Sequence, residues 1–280
     1  MSGWAMAVAG IGDLAIYTAL VALALRERKK GKFRLQVEPF VPLVNYPPVW
    51  SKLNPLLNKT RISLSILNGG VCSRERLADW AAESIGTAYA ALTGMGLLAL
   101  LTNTPGLWVL GAILSGCLPA LRIKELFGKV SKRRQSIVME LPELLSKLLL
   151  MVNAGENVMR ALAKAAEQKR DETNPLYVEL RAAIESMKRG ETLAAALEEM
   201  GRRCAVPEVK LFATTVLINA RRGGDAFVPA LRELTRQMWE KRKAIARTLG
   251  EQASSRLAFP LTVVFLLIMV LVGTPAIFMM

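Results

Sequence analysis

The sequence contains no histidine. That excludes histidine triads, histidine general bases and histidine metal sites. Its three cysteines, Cys72, Cys117 and Cys204, lie too far apart for a disulfide framework or a CxxC metal knuckle. No stretch shows the alternating pattern of a strand. No Walker A sequence is present, since Gly31-Lys32 and Gly128-Lys129 lack the required glycine five residues upstream. No paired-acid or nucleophile constellation assembles either. Glu198-Glu199 and Asp171-Glu172 read as solvated helix faces. The expectation is a protein that is not an enzyme and holds no cofactor or metal.

A further absence is regional. Lys and Arg are missing from Met1 to Leu25, from Ile85 to Leu121, and from Leu257 to Met280. The second and third windows carry no charge of any kind. One helical crossing needs about 20 apolar residues. The second window has room for two short crossings, and Thr102–Gly106 is a turn signal in its middle. The sequence therefore predicts four spans: Trp4–Leu25, Ile85–Leu101, Leu107–Leu121 and Leu257–Met279. In the first, Arg26, Arg28, Lys29, Lys30 and Lys32 follow the apolar run. A signal peptide carries its basic residues before that run, so a retained span is expected.

What is present is positive charge, and all of it falls between those windows. The chain has 37 Lys+Arg against 23 Asp+Glu, a net +14. Basic residues mark the cytoplasmic side of a membrane protein. Four spans with both termini outside place every Lys and Arg in the cytoplasm of a multi-pass inner-membrane protein. Basic residues beside a membrane also attract anionic headgroups. The charge thus needs no nucleic acid, and none is expected as a partner.

The expected organisation is five-part: span one in 1–25, a basic, proline-rich loop and short helix in 26–84, a transmembrane hairpin in 85–121, a cytoplasmic helical domain in 122–256, and the last span in 257–280. Within the loop, Pro39, Pro42, Pro47, Pro48 and Pro55 predict extended chain over Glu38–Pro55. Gly69-Gly70 predicts a break, and Ser73–Ser84 a short helix.

Inside the membrane, Gly86, Ala90 and Gly94 repeat at four-residue spacing, as do Ala112, Gly116 and Ala120. Small residues so spaced let helices approach closely. They serve either packing between the hairpin arms or an oligomer interface. Asp13 lies mid-span, where an acid costs about 2.5–3.5 kcal/mol on insertion scales. It is a candidate intramembrane polar site.

In the cytoplasmic domain the apolar positions follow the helical period. Leu141, Leu144, Leu145, Leu148, Leu149 and Val152 form one stripe. Five more helices follow, around Leu162, Leu180, Leu197, Phe212 and Leu231. Asn174-Pro175 and Thr192 read as helix starts, and Gly155 and Gly190 as stops. The fold class expected is all-α, with four transmembrane helices and a cytoplasmic six-helix bundle. Arg202-Arg203 and Arg221-Arg222 near helix ends are candidate docking residues for an acidic partner, or complements of the helix dipole.

An ordered string runs through this domain: Leu141-Pro142-Glu143-Leu144-Leu145, Ala154-Gly155, Ala161-Leu162, Pro175-Leu176 with Glu179, Gly190-Glu191-Thr192-Leu193 with Ala196-Leu197, and Gly223-Gly224. It resembles the type II secretion system F domain, and within that the single-domain platform proteins of tight-adherence (Tad) pilus systems. The resemblance covers about Lys129–Met280. It implies a platform in the cytoplasmic membrane that contacts a hexameric secretion ATPase and receives pilin or pseudopilin subunits. It also implies a homo-oligomer, or a hetero-oligomer with a second single-domain protein. Many platform proteins carry two F domains, whereas this chain shows one. A transporter or channel subunit is the alternative, for which Asp13 would have to serve a polar path.

Overall fold

The computed structural model describes residues 10, 12–13, 15, 17–22, 38–102, 104, 106–169, 173–222 and 224–278. Every regular element among them is helical. Two units separate at Arg134/Gln135.

The first unit answers the proline-rich expectation with a correction. Glu38–Pro55 is helical rather than extended. A 3₁₀ turn over Glu38–Phe40 leads into α1 (Val41–Asn45), and α2 runs from Pro47 to Leu67. The reason is where the prolines fall. Pro42 sits in the first turn of α1, and Pro47 and Pro48 open α2. A proline there loses an N–H that would have had no partner, and its fixed φ suits the helix. Pro55 alone lies inside α2. Its missing N–H leaves one carbonyl, four residues back, without its usual bond.

After the Gly69-Gly70 turn, α3 spans Arg74–Thr102 and α4 spans Gly106–Asn153. The expected short helix over Ser73–Ser84 and the first hairpin arm are therefore one helix. The second arm likewise continues past Arg122 into the Leu141–Val152 stripe. A change from apolar to charged side chains alters what surrounds a helix. It does not interrupt the backbone hydrogen bonds. Ser73 Oγ accepts from the Arg76 N–H at 3.3 Å at the start of α3. The Arg74 guanidinium lies 4.8 Å from the Trp50 ring centroid, joining α2 to the base of α3. Phe40, Val44, Leu57, Leu77, Ala78, Ala81 and Ala82 form the buried core of this unit.

Most of the expected first span, Trp4–Leu25, lies outside the described residues. Its described part is helical and sits against α3. A Cβ on Gly10 would fall 2.8 Å from Leu100, and the Tyr17 ring stacks 6.0 Å from that of Tyr89. Residue number rises on one side as it falls on the other. The segment therefore runs antiparallel to α3.

The second unit holds the end of α4, then α5 (Val158–Gln168), α6 (Pro175–Lys188), α7 (Leu193–Cys204), α8 (Pro207–Arg222) and α9 (Gly224–Phe278). Their punctuation is chemical. Asn157 Oδ1 accepts from the Met159 N–H at 2.9 Å, Asn174 Oδ1 from Leu176 at 3.0 Å, and Thr192 Oγ1 from Ala195 at 3.2 Å. Each satisfies a donor that the first turn leaves open. α4 and α6 end at Gly155 and Gly190, with φ of +84° and +102°. In each case the next residue's N–H reaches back five residues: Glu156 to Met151 O and Glu191 to Ser186 O, both near 3 Å. That left-handed closure is where a side chain would be strained.

One core unites these helices. Leu141, Leu144, Leu145 and Leu148 meet Leu162, Leu176, Tyr177, Leu180, Leu197, Phe212 and Leu231. Successive helices pack as neighbours: α5 on α6, α6 on α7, α7 on α8, and α8 on α9. The last helix then leaves the core without a break. It carries 55 residues, about 80 Å of helix at 1.5 Å per residue. Every residue from 257 to 271 is exposed.

Candidate membrane and partner interfaces

Three helices are long and apolar enough to cross a membrane: Arg74–Thr102, Gly106–Asn153 and the Phe227–Leu271 portion of α9. The four expected spans thus stand as three among the described residues. In α9 the apolar run begins with Leu257, Phe259 and Leu261, each more than 70% exposed. A continuous apolar surface of this size does not persist in water. Arg256 precedes it directly, and Arg122 marks the same transition on α4.

In the first unit, two features chosen independently from the sequence meet. Asp13, Gly86, Ala90 and Gly94 all line one cavity of about 380 Å³. Tyr89 explains the meeting. Its hydroxyl donates to the main-chain oxygen of Asp13 at 2.6 Å, and its ring packs against Tyr17 and Phe40. Tyr89 was not singled out in the sequence. Only its place in a charge-free window could have drawn attention to it.

The small residues of α4 behave differently. Ala112, Gly116 and Ala120 are exposed. The arms of the hairpin instead touch at glycines outside both repeats. A Cβ on Gly96 would lie 3.1 Å from the Trp108 ring, and one on Gly111 would lie 2.9 Å from Met95 Cβ. Gly94 and Gly116 face open space. Direct packing between the arms therefore runs through Gly96 and Gly111. Four-residue spacing marks a face of small residues, but the crossing point of two helices decides which glycines are needed.

In the second unit, Arg202 and Arg203 both hold Glu199. The three N–H···O contacts measure 2.6–2.7 Å. These hydrogen bonds, with the charges behind them, push the Glu199 carboxyl down to about 2. A partner carboxylate approaching either arginine would compete with Glu199. Arg221 and Arg222 end α8, and their side chains lie outside the described set. Nearby, Lys169 bridges Glu140 and Glu143 at 3.3 and 3.4 Å, tying the end of α5 to α4. Burial disfavours its charge, but hydrogen bonds to the two carboxylates outweigh this and hold the ammonium above its usual range. Lys241 on α9 pairs with the buried Glu208 at the start of α8. Among the described residues, no group of His, Cys, Asp or Glu is arranged to hold a metal.

The arrangement defines a class: a helical membrane protein whose basic helical domain continues directly into an apolar helix. Residues 144–275 match the family model of the type II secretion system protein F. The match spans α5 to α8, the end of α4 and nearly all of α9. It supports the family over that stretch, and with it a type II secretion-related protein of the inner membrane. No curated protein and no solved structure gave a significant match.

Proposed function

We propose that the chain is an inner-membrane platform protein of a type II secretion or Tad-like pilus assembly machine. It couples a cytoplasmic hexameric ATPase to the insertion of pilin or pseudopilin subunits, and it hydrolyses nothing itself. The reading rests on the match at residues 144–275 taken together with the course of α9. One helix carries Phe227, Leu231, Leu234 and Met238 in the domain core, and then Leu257–Leu271 as bare apolar surface. A displacement imposed on the core is therefore handed to the apolar end through hydrogen-bonded backbone. Four spans with both termini outside fit the charge distribution, and the antiparallel course of the described part of the first span on α3 agrees with it. The single F domain favours assembly as an oligomer, with copies of itself or with a sister protein.

The test is a native pull-down from source membranes in mild detergent, read by mass spectrometry, beside a deletion strain. Recovery of a secretion-type ATPase with a pilin-like subunit, and loss of filaments on deletion, is the expected result. Intact filament assembly and secretion in the deletion strain would end the proposal.

A further inference from the structure

The cavity beside Asp13 has chemistry that the packing of this chain leaves unused. Asp13 is the only charged residue in the three windows that lack Lys and Arg. Tyr89 bonds its main-chain oxygen and not its carboxylate. Among the described residues no cation pairs with that carboxylate. On another wall of the cavity the Trp108 ring adds apolar surface, while its indole N–H is closed off from the space. The Thr93 hydroxyl is already committed to the Tyr89 and Ala90 carbonyls. A carboxylate with no cation of its own thus borders a mostly apolar space.

We propose that this cavity receives a lysine side chain presented to Asp13 by a transmembrane helix of a partner protein docked over it. The inference rests on the platform reading above, which brings membrane-anchored subunits to this unit. Charge selects the occupant. A lipid acyl chain would leave the carboxylate as it is. A second copy of this chain has no Lys or Arg in any of its apolar windows to offer. A helix bearing an ammonium pairs with the acid in surroundings of low dielectric, where such a pair is strongest. Ala90 and Gly94, both exposed on the α3 wall, let the incoming backbone come close.

The experiment uses the full chain in phosphatidylcholine nanodiscs, with a benzophenone amino acid replacing Leu97, an exposed large residue at the rim of the cavity. The probes are three synthetic leucine–alanine transmembrane helices that differ at one central position: lysine, leucine or glutamate. Crosslinking to the lysine helix should exceed that to the leucine helix at least tenfold, and the glutamate helix should do no better than leucine. Asp13→Asn should erase the lysine preference, and Asp13→Lys should transfer it to the glutamate helix. Equal crosslinking of the lysine and leucine helices to the unaltered Asp13 protein would overturn the proposal, even if no Asp13 variant folds. So would a lysine preference that survives Asp13→Asn. The assay contains neither ATPase nor filament. Its failure leaves the platform reading standing, and intact filaments after deletion would remove that reading without altering the peptide result.

Discussion

Leu145 and Leu150 lie five residues apart on α4 with opposite surroundings. Leu145 is fully buried, and Leu150 is 70% exposed. Truncating Leu145 to alanine removes three carbons from a core shared with α5, α6 and α7. At about 0.8 kcal/mol per buried methylene the transfer loss is about 2.4 kcal/mol. An unfilled void of roughly 50 Å³ would add about 1.2 kcal/mol at about 24 cal/mol per Å³. The sum, about 3–4 kcal/mol, falls within the usual range for buried leucines. The second unit, Gln135–Met280, is of a size for which each kcal/mol lowers Tm by roughly 2–4 °C. Leu145→Ala should therefore lower its melting midpoint by roughly 6–16 °C. Leu150→Ala should change stability by less than about 0.5 kcal/mol. Trypsin resistance of the purified protein over a temperature ramp reads both. Equal shifts for the two variants would refute the assignment of faces on α4 and the core built from it. Leu148→Arg, which buries an unpaired charge, should abolish protease resistance altogether.

Other outcomes follow from the pairs and contacts described. The Glu199 pKa is depressed on folding, so its contribution is complete above the ordinary value of 4.5 and is lost as pH falls toward about 2. Glu199→Gln should flatten that acid limb of the stability profile and leave the neutral region's slope unchanged; thermal midpoints between pH 2 and 7 check it. Gly111→Val should force α3 and α4 apart at Met95, while Gly116→Val should be tolerated, as read by disulfide trapping between cysteines introduced on the two arms. Lys241→Met strips the buried Glu208 of its half-exposed cation and should cost about 1–3 kcal/mol, measurable in the same protease assay. If Arg221-Arg222 form a docking patch, reversing both charges should weaken ATPase recovery in the pull-down without changing the melting midpoint.

The second unit was legible because its signals are local. Asn174 before Pro175, Thr192 before a helix, and Gly155 and Gly190 after one act within five residues of themselves, and periodicity supplied the core face. Asn157 does the same work as a cap but gave no warning, because the Gly155 stop drew attention first. The proline-rich stretch was misread because composition counts prolines without their positions. At the first turn of a helix a proline costs nothing, and most of these lie there. The merging of the expected short helix with the hairpin was hidden for another reason. Charge boundaries record where the solvent changes, and the backbone ladder ignores them. In the candidate site, Asp13 and the Gly86–Ala90–Gly94 face were each visible alone. Their meeting was not, since it depends on Tyr89 bridging 76 residues of sequence. The roles of Gly96 and Gly111 were equally invisible, because the crossing point of two helices is a tertiary fact.

The unbroken course of α9 has a mechanical corollary. Pro260 sits inside that helix, four residues beyond Arg256 at the foot of the apolar run. A proline there removes one rung of the ladder and frees the Arg256 carbonyl. At the water line such a carbonyl can be hydrated. The helix is therefore softer against bending at the foot of its apolar run than in the unbroken turns beside it, while its covalent chain remains as strong in tension as anywhere. A domain that swings sideways would flex this joint and leave the buried part nearly still. A domain that is pulled along the helix axis would draw the buried part with it. The joint filters one kind of motion from the other, and the axial kind is what the proposed lifting of a subunit would require.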